Sequence, residues 1–206
     1  MIERRILSKS AIRTAAGDKR TIEGHAATFG TLSSDLGGFR EKIAHGTFSK
    51  TIGRGDDIKA LINHSPNLLI GRTRNSTLQL NEDFVGLAFR CMVARTSYGD
   101  DLLANIDAGN IDEMSFGFVV DPDGDSWEDG YDPDDGSRCA IRTLRSVKLT
   151  DVSVVVFPAY DGTTVDQAAR SLPDSIPCEI RSRILAAGPL TTHNARSRRL
   201  HSFILS

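Results

Sequence analysis

Cysteine is scarce in this chain, and the three present, Cys91, Cys139 and Cys178, lie far apart with no Cys-x-x-Cys pair among them. That spacing gives no zinc signature and no disulfide framework, and it fits reduced thiols. Cys91 and Cys139 sit in alternating apolar segments and read as small core residues. An excess of one charge is also missing: 25 Lys and Arg stand against 27 Asp and Glu, a net charge of −2. Nothing global therefore argues for nucleic acid or a membrane surface as the main partner. No apolar run is long enough to cross a bilayer, and no signal peptide is visible after Met1. The expectation is a protein made and kept in a cytosol, with neither nucleic acid nor membrane as partner. No internal repeat is found, and 206 residues that are 39% apolar allow one domain of ordinary size plus tails.

What the chain does have is short alternating segments. Asp56–Asn63 places Ile58, Ala60 and Ile62 on one face of a strand. Residues 77–81 and 87–93 form an expected hairpin, with Leu78 and Leu80 facing Leu87, Phe89, Cys91 and Val93. Met114, Phe116, Phe118 and Val120 alternate again. Residues 140–157 supply one long strand or two joined ones, and 152–156 reads as buried on both faces. Helices are fewer. The clearest spans Tyr98–Asp107, where Ser97 and Asp100 have capping-box spacing, Leu102, Leu103 and Ile106 form the apolar stripe and Gly109 is the stop. Short helices are expected over Thr47–Ile52 and Thr164–Ser171. This pattern predicts a mainly β (α+β) fold, an antiparallel β-barrel with a few surrounding helices, rather than a doubly wound sheet.

Two segments differ in composition. Asp121–Asp135 holds eight acidic residues and no basic one, and predicts a long, exposed, self-repelling loop. Asp121, Asp123, Asp125 and Asp132 match positions one, three, five and twelve of a calcium loop. Ser126 stands where that loop needs glycine and Asp132 where it needs glutamate, so a solvated hairpin insertion is expected and no metal is assigned. Beyond residue 170 prolines and arginines accumulate. The chain divides on this reading into a domain over 1–170 and a basic, Pro-containing tail over 171–206, with one amphipathic helix at Glu179–Ala187.

Three residues could carry chemistry. His64 follows the strand bearing Ile58, Ala60 and Ile62, so period two continues that row to its ring at a strand end, a good position for a base. The plainer reading is a half-buried histidine bonded to a carbonyl. Ser115 lies on the face opposite Met114, Phe116 and Phe118, with Gly117 beside it clearing space for a substrate backbone; it could equally be a structural serine. Asp151 opens an apolar strand and needs a partner, either a histidine ring or an arginine such as Arg142 or Arg145.

In order along the chain these segments resemble a known family. The carriers are Gly24-His25-Ala26-Ala27-Thr28-Phe29, Asp35-Leu36-Gly37-Gly38-Phe39-Arg40-Glu41-Lys42-Ile43, Gly46-Thr47-Phe48, Ala60-Leu61-Ile62-Asn63-His64-Ser65-Pro66 and Leu69-Ile70-Gly71-Arg72-Thr73. They continue through Gly86-Leu87, Thr96-Ser97-Tyr98, Ser115-Phe116-Gly117-Phe118, Asp151-Val152-Ser153 and Phe157-Pro158-Ala159-Tyr160. Together they resemble the prohead proteases of tailed bacteriophages of the HK97 type, a family similar in fold to herpesvirus assembly proteases. The resemblance implies a herpesvirus-protease type of barrel and a serine endopeptidase without cofactor. It implies action inside the procapsid, in the host cytoplasm, on the major capsid protein and scaffolding protein, with a homo-oligomer as a further option. It makes His64, Ser115 and Asp151 the catalytic residues, Asp151 standing where the family has the longer glutamate. The alternative is a catalytically inactive capsid assembly or scaffolding protein on the same barrel. Backbone N–H groups near Gly117 and the Arg72 side chain are the candidates for stabilising an oxyanion.

Overall fold

Period-two alternation dominates the sequence, and the chain folds accordingly, chiefly into strands. The structure is a computed structural model and describes residues 2–7, 12–36, 38–156 and 176–187. The expected helix at Thr164–Ser171 and the expected boundary at residue 170 lie outside these residues. The strands are β1 (Glu3–Leu7), β2 (Arg13–Ala15), β3 (Asp18–Thr28), β4 (Phe39–Ile43), β5 (Lys59–Ile62) and β6 (Ser65–Arg72). They continue with β7 (Leu78–Glu82), β8 (Gly86–Met92), β9 (Glu113–Val120), β10 (Asp125–Tyr131), β11 (Arg138–Leu144) and β12 (Val147–Val155). Three α-helices, α1 (Ser49–Gly53), α2 (Ser97–Asp107) and α3 (Cys178–Ala187), and one short 3-10 helix (Thr73–Asn75) accompany them among the described residues. None is long and apolar enough to cross a membrane.

The strands form three sheets, ordered β1-β9-β12-β5-β6, β10-β11-β4 and β2-β3-β8-β7. The mainly β expectation therefore stands. The ladder does not close into one ring among the described residues, and β12 pairs with β5 in parallel, so the sheets are not purely antiparallel.

The chain divides into two compact units. The larger comprises, of the described residues, 2–7, 12–31, 42–126 and 143–156. Its hairpin β7–β8 pairs Leu78 with Cys91 and Leu80 with Phe89, as alternation predicts, and Cys91 is fully buried. Burial raises the Cys91 thiol to about 12, so it packs as a small apolar group. Phe116 meets Phe118 in a stacked pair at 5.2 Å and Phe48 edge-on at 5.5 Å. Burying each such ring stabilises the fold by about 1.5–3 kcal/mol. Thr51 of α1 ties the helix to β12, its hydroxyl donating to Val147 O (2.8 Å) and accepting from Leu149 N (3.2 Å). Helix α2 is capped one residue earlier than the capping-box spacing predicts. Thr96 is extended and its Oγ1 accepts from Gly99 N at 3.1 Å.

The smaller unit contains Leu32–Glu41, Trp127–Arg142 and, of its C-terminal part, the described residues 176–187. Ile176, Ile180 and Ile184 pack with Leu36, Phe39, Ala140 and Trp127. The one-turn spacing of Ile180 and Ile184 thus builds an apolar stripe on α3. The acidic segment corrects its expectation. Asp125–Tyr131 is strand β10, paired beside β11 as a hairpin insertion would be, and Asp132 is buried rather than solvated. Arg40 supplies the compensating charge, donating from Nε and Nη2 to both Asp132 carboxylate oxygens at 3.0 and 2.7 Å. The twelfth position of the calcium pattern is therefore already bonded to a fixed cation. Arg142, one proposed partner of Asp151, bonds Glu41 instead at 3.2 Å and lies over the Trp127 ring.

Candidate active site

The five-stranded sheet has two unlike faces. Register places Ser153 of β12 opposite Ser115 of β9 on one side and opposite Leu61 of β5 on the other. The adjacent rank pairs Val154 with Met114 and with Ile62, and these three are buried apolar residues. Successive residues alternate faces, so Ser115, Ser153 and Leu61 share the face opposite that apolar rank.

Asp151 reaches the serine face through a bulge. Leu149 stands opposite Phe118 and Asp151 opposite Gly117, so Thr150 is an extra residue in the ladder. Without it, residues 149 and 151 would share a face. With it, Leu149 stays in the core while the carboxylate turns toward Ser115. Asp151 is thus a mid-strand residue, not the strand opener of the sequence reading. Gly117 has a different use from the one expected. A Cβ there would collide with the Asp151 carboxylate and lie 2.8 Å from Thr150 Oγ1. The space that glycine leaves is filled by Asp151 rather than kept for a substrate.

His64 corrects the period-two extrapolation. Ile62 pairs with Ser65, and Asn63 and His64 between them have φ of 51° and 55°. Positive φ at both central residues defines the tight hairpin turn that suits twisted strands. The chain reverses here, so the ring leaves the Ile58–Ala60–Ile62 row and lies over the opposite, serine face. Asn63 anchors the turn to β12, its N–H donating to Val154 O (2.9 Å) and its Oδ1 accepting from Val156 N (3.1 Å).

The three sequence candidates come together. His64 Nε2 lies 2.6 Å from Ser115 Oγ, and Nδ1 lies 2.6 Å from Asp151 Oδ1. Asp151 also accepts from Ser153 Oγ (2.8 Å) and Thr150 Oγ1 (3.1 Å). Burial works to raise the Asp151 pKa. The His64 contact, with Ser153 and Thr150, outweighs it and holds the carboxyl below its ordinary value. Ser115 and Ser153 have no exposed surface, while the His64 side chain keeps 11% of its own. Ser153 escaped sequence reasoning, because one hydroxyl in an apolar strand carries no local signal. Its position two residues from Asp151, on the same face, was the available clue.

Both oxyanion candidates hold other partners. Arg72 donates from Nε to Asp57 Oδ1 at 3.0 Å, and its Nη2 bonds the same carboxylate. Gly117 lies between two partner strands, opposite Arg4 and Asp151, so its backbone is not an open edge. On the flank of Ser115 away from Gly117, Glu113 has a buried Oε2 with no hydrogen-bond partner among the described residues. Burial, aided by Asp112, raises its carboxyl pKa.

A hydroxyl, an imidazole and a carboxylate in bonded series can activate the hydroxyl for attack on an acyl carbon. No curated protein matches the chain. Among solved structures, the bacteriophage T4 capsid assembly protease, gp21, is similar at 15% identity with a TM-score of 0.46, the match covering 74% of this chain and 98% of that one. The family model for caudovirus prohead serine proteases matches residues 8–175, which is most of the chain, and the chain therefore belongs to the caudovirus prohead serine protease family.

Proposed function

We propose that this chain is an active serine endopeptidase that cleaves scaffold and capsid-protein segments inside the immature procapsid. Ser115 is the nucleophile, His64 the general base and Asp151 the orienting acid. The observation that carries the reading is the unbroken Ser115–His64–Asp151 series, with both ring nitrogens of one histidine bonded at 2.6 Å. Family membership and the lowered Asp151 pKa support it.

In the proposed reaction, Ser115 Oγ forms a bond to the scissile carbonyl carbon as its proton passes to His64 Nε2. The carbonyl electron pair moves onto oxygen. Collapse of that tetrahedral species breaks the C–N bond, and the leaving amine takes the proton back from Nε2. Water then repeats the sequence on the acyl-enzyme and frees Ser115. Asp151 stays ionised throughout, holding the proton on Nδ1 and balancing the imidazolium. The herpesvirus-type barrel implied by the resemblance belongs to the same proposal.

One observation favours the alternative, a non-enzymatic capsid assembly protein: Ser115 has no exposed surface, so a substrate must first displace what covers it. Co-expression with the cognate capsid and scaffolding proteins, followed by mapping of new N-termini, decides between the two. The proposal expects cleavage by the wild type and a loss of roughly a million-fold in Ser115→Ala and His64→Ala, both still folded. Intact substrates with the wild type, or cleavage retained in Ser115→Ala, would favour the assembly role.

A further inference from the structure

A fourth side chain completes the proton network, and its geometry decides which nitrogen of His64 can act as base. Ser153 Oγ lies 2.8 Å from Asp151 Oδ1 and 3.2 Å from His64 Nδ1. A hydroxyl has one proton to give and lone pairs to accept with. An ionised carboxylate can only accept, so the Ser153 proton goes to Asp151. Toward Nδ1 the same oxygen is left with lone pairs alone. Nδ1 thus faces two acceptors, Asp151 Oδ1 and Ser153 Oγ, and must carry the proton in the neutral ring. Nε2 is then left with the lone pair that the Ser115 proton needs. Ser153 is fully buried and lies directly opposite Ser115 in the ladder.

We propose that Ser153 is a positioning residue of the site, which holds Asp151 in register and locks His64 in the tautomer protonated on Nδ1. The proposal rests on the serine peptidase reading above, and it adds that two serines on one face have separate duties. Ser115 bonds Nε2 and is the hydroxyl that reacts. Ser153 bonds the other nitrogen and acts only through His64 and Asp151. An Asp-x-Ser pair on one strand gives this arrangement because residues two apart share a face.

The test uses the full chain and a fluorophosphonate, a probe that forms a covalent bond to an activated serine and needs no knowledge of the natural substrate. The wild type should be labelled at Ser115. Ser153→Ala should stay folded with a melting temperature lowered by no more than about 8 °C, label at a maximal rate roughly 10- to 100-fold lower, and keep its half-saturating probe concentration. Ser153→Thr, which retains the hydroxyl, should recover most of the rate. Nitrogen-15 NMR of the His64 ring gives a second readout, whose wild-type half depends on no variant. The wild type should show the proton on Nδ1, and Ser153→Ala should show a mixture of tautomers. Ser153→Ala labelling at the wild-type rate would overturn the assignment with the peptidase reading intact, whereas a wild-type ring protonated on Nε2 would overturn it together with the general-base role of that nitrogen. Absence of wild-type labelling would sink that reading and this one with it.

Discussion

His25 and His64 each bond an aspartate, through Nε2 to Asp83 Oδ2 at 2.9 Å and through Nδ1 to Asp151 Oδ1 at 2.6 Å. Their surroundings differ. The His25 and Asp83 side chains are 30% and 32% exposed, and those of His64 and Asp151 are 11% each. Asp83 also accepts from the backbone N–H groups of Val85 and Gly86, so its carboxylate closes the β7–β8 turn. Asp151 spends its remaining bonds on two hydroxyls that hold it against the ring. The second ring nitrogen of His64 has a buried serine, and no hydroxyl among the described residues bonds His25. A histidine–aspartate contact is therefore not a signature of catalysis. What distinguishes the pair proposed to react is low exposure, which strengthens the electrostatics, and a serine hydroxyl on the far nitrogen.

The most direct way to break this comparison is to neutralise each carboxylate in turn. Asp151→Asn should lower the maximal phosphonate-labelling rate by about ten-thousand-fold, because an amide in its place can favour the wrong tautomer of His64. Asp83→Asn should leave that rate within about twofold. Equal losses in the two variants would mean that the geometric distinction is without consequence.

A smaller effect sharpens the same point from the backbone side. Gly117→Ala removes nothing from the Ser115–His64–Asp151 series but inserts a methyl group into the Asp151 carboxylate. A displacement of around an ångström should cost roughly 100-fold in rate, with secondary structure retained by circular dichroism. If Gly117→Ala labels as fast as the wild type, the tight seat of Asp151 is not required.

Gly117 also shows how far the sequence could be read. Elements whose signal is local alternation, β7, β8 and β9, were legible in outline and in face. Ordered motifs singled out His64, Ser115 and Asp151 as candidates, but how the three converge was not legible. The His64 ring changes face because Asn63 and His64 form a two-residue turn, which period-two reasoning cannot foresee. Asp151 changes face because Thr150 is an extra residue in the ladder, and a bulge is defined only by the partner strand. Asp132 looked like part of a solvated acidic loop because its partner, Arg40, lies 92 residues away. For Asp151 and Asp132 the missing information was a long-range pairing, and Ser153 was overlooked because one hydroxyl in an apolar strand carries no local signal.

The smallest expected effect concerns stability and lies in the exposed pair. The Asp83 carboxyl is held below its ordinary value, first by the Gly86 N–H and then by His25. A carboxyl whose pKa is depressed by folding adds stability above its unfolded value of about 3.9, and that contribution disappears as pH falls through the folded value. Asp83→Asn has no carboxyl to titrate. At pH 7 its melting temperature should be lower than that of the wild type by no more than about 4 °C. As the pH is lowered toward the carboxylate range the wild type loses its advantage, so the two melting curves should converge. Melts across this range, paired with labelling rates at neutral pH, separate a carboxylate that fixes a turn from one that fixes a base. A gap that widened in acid, or a labelling rate that fell with the melting temperature, would erase the difference between the two pairs.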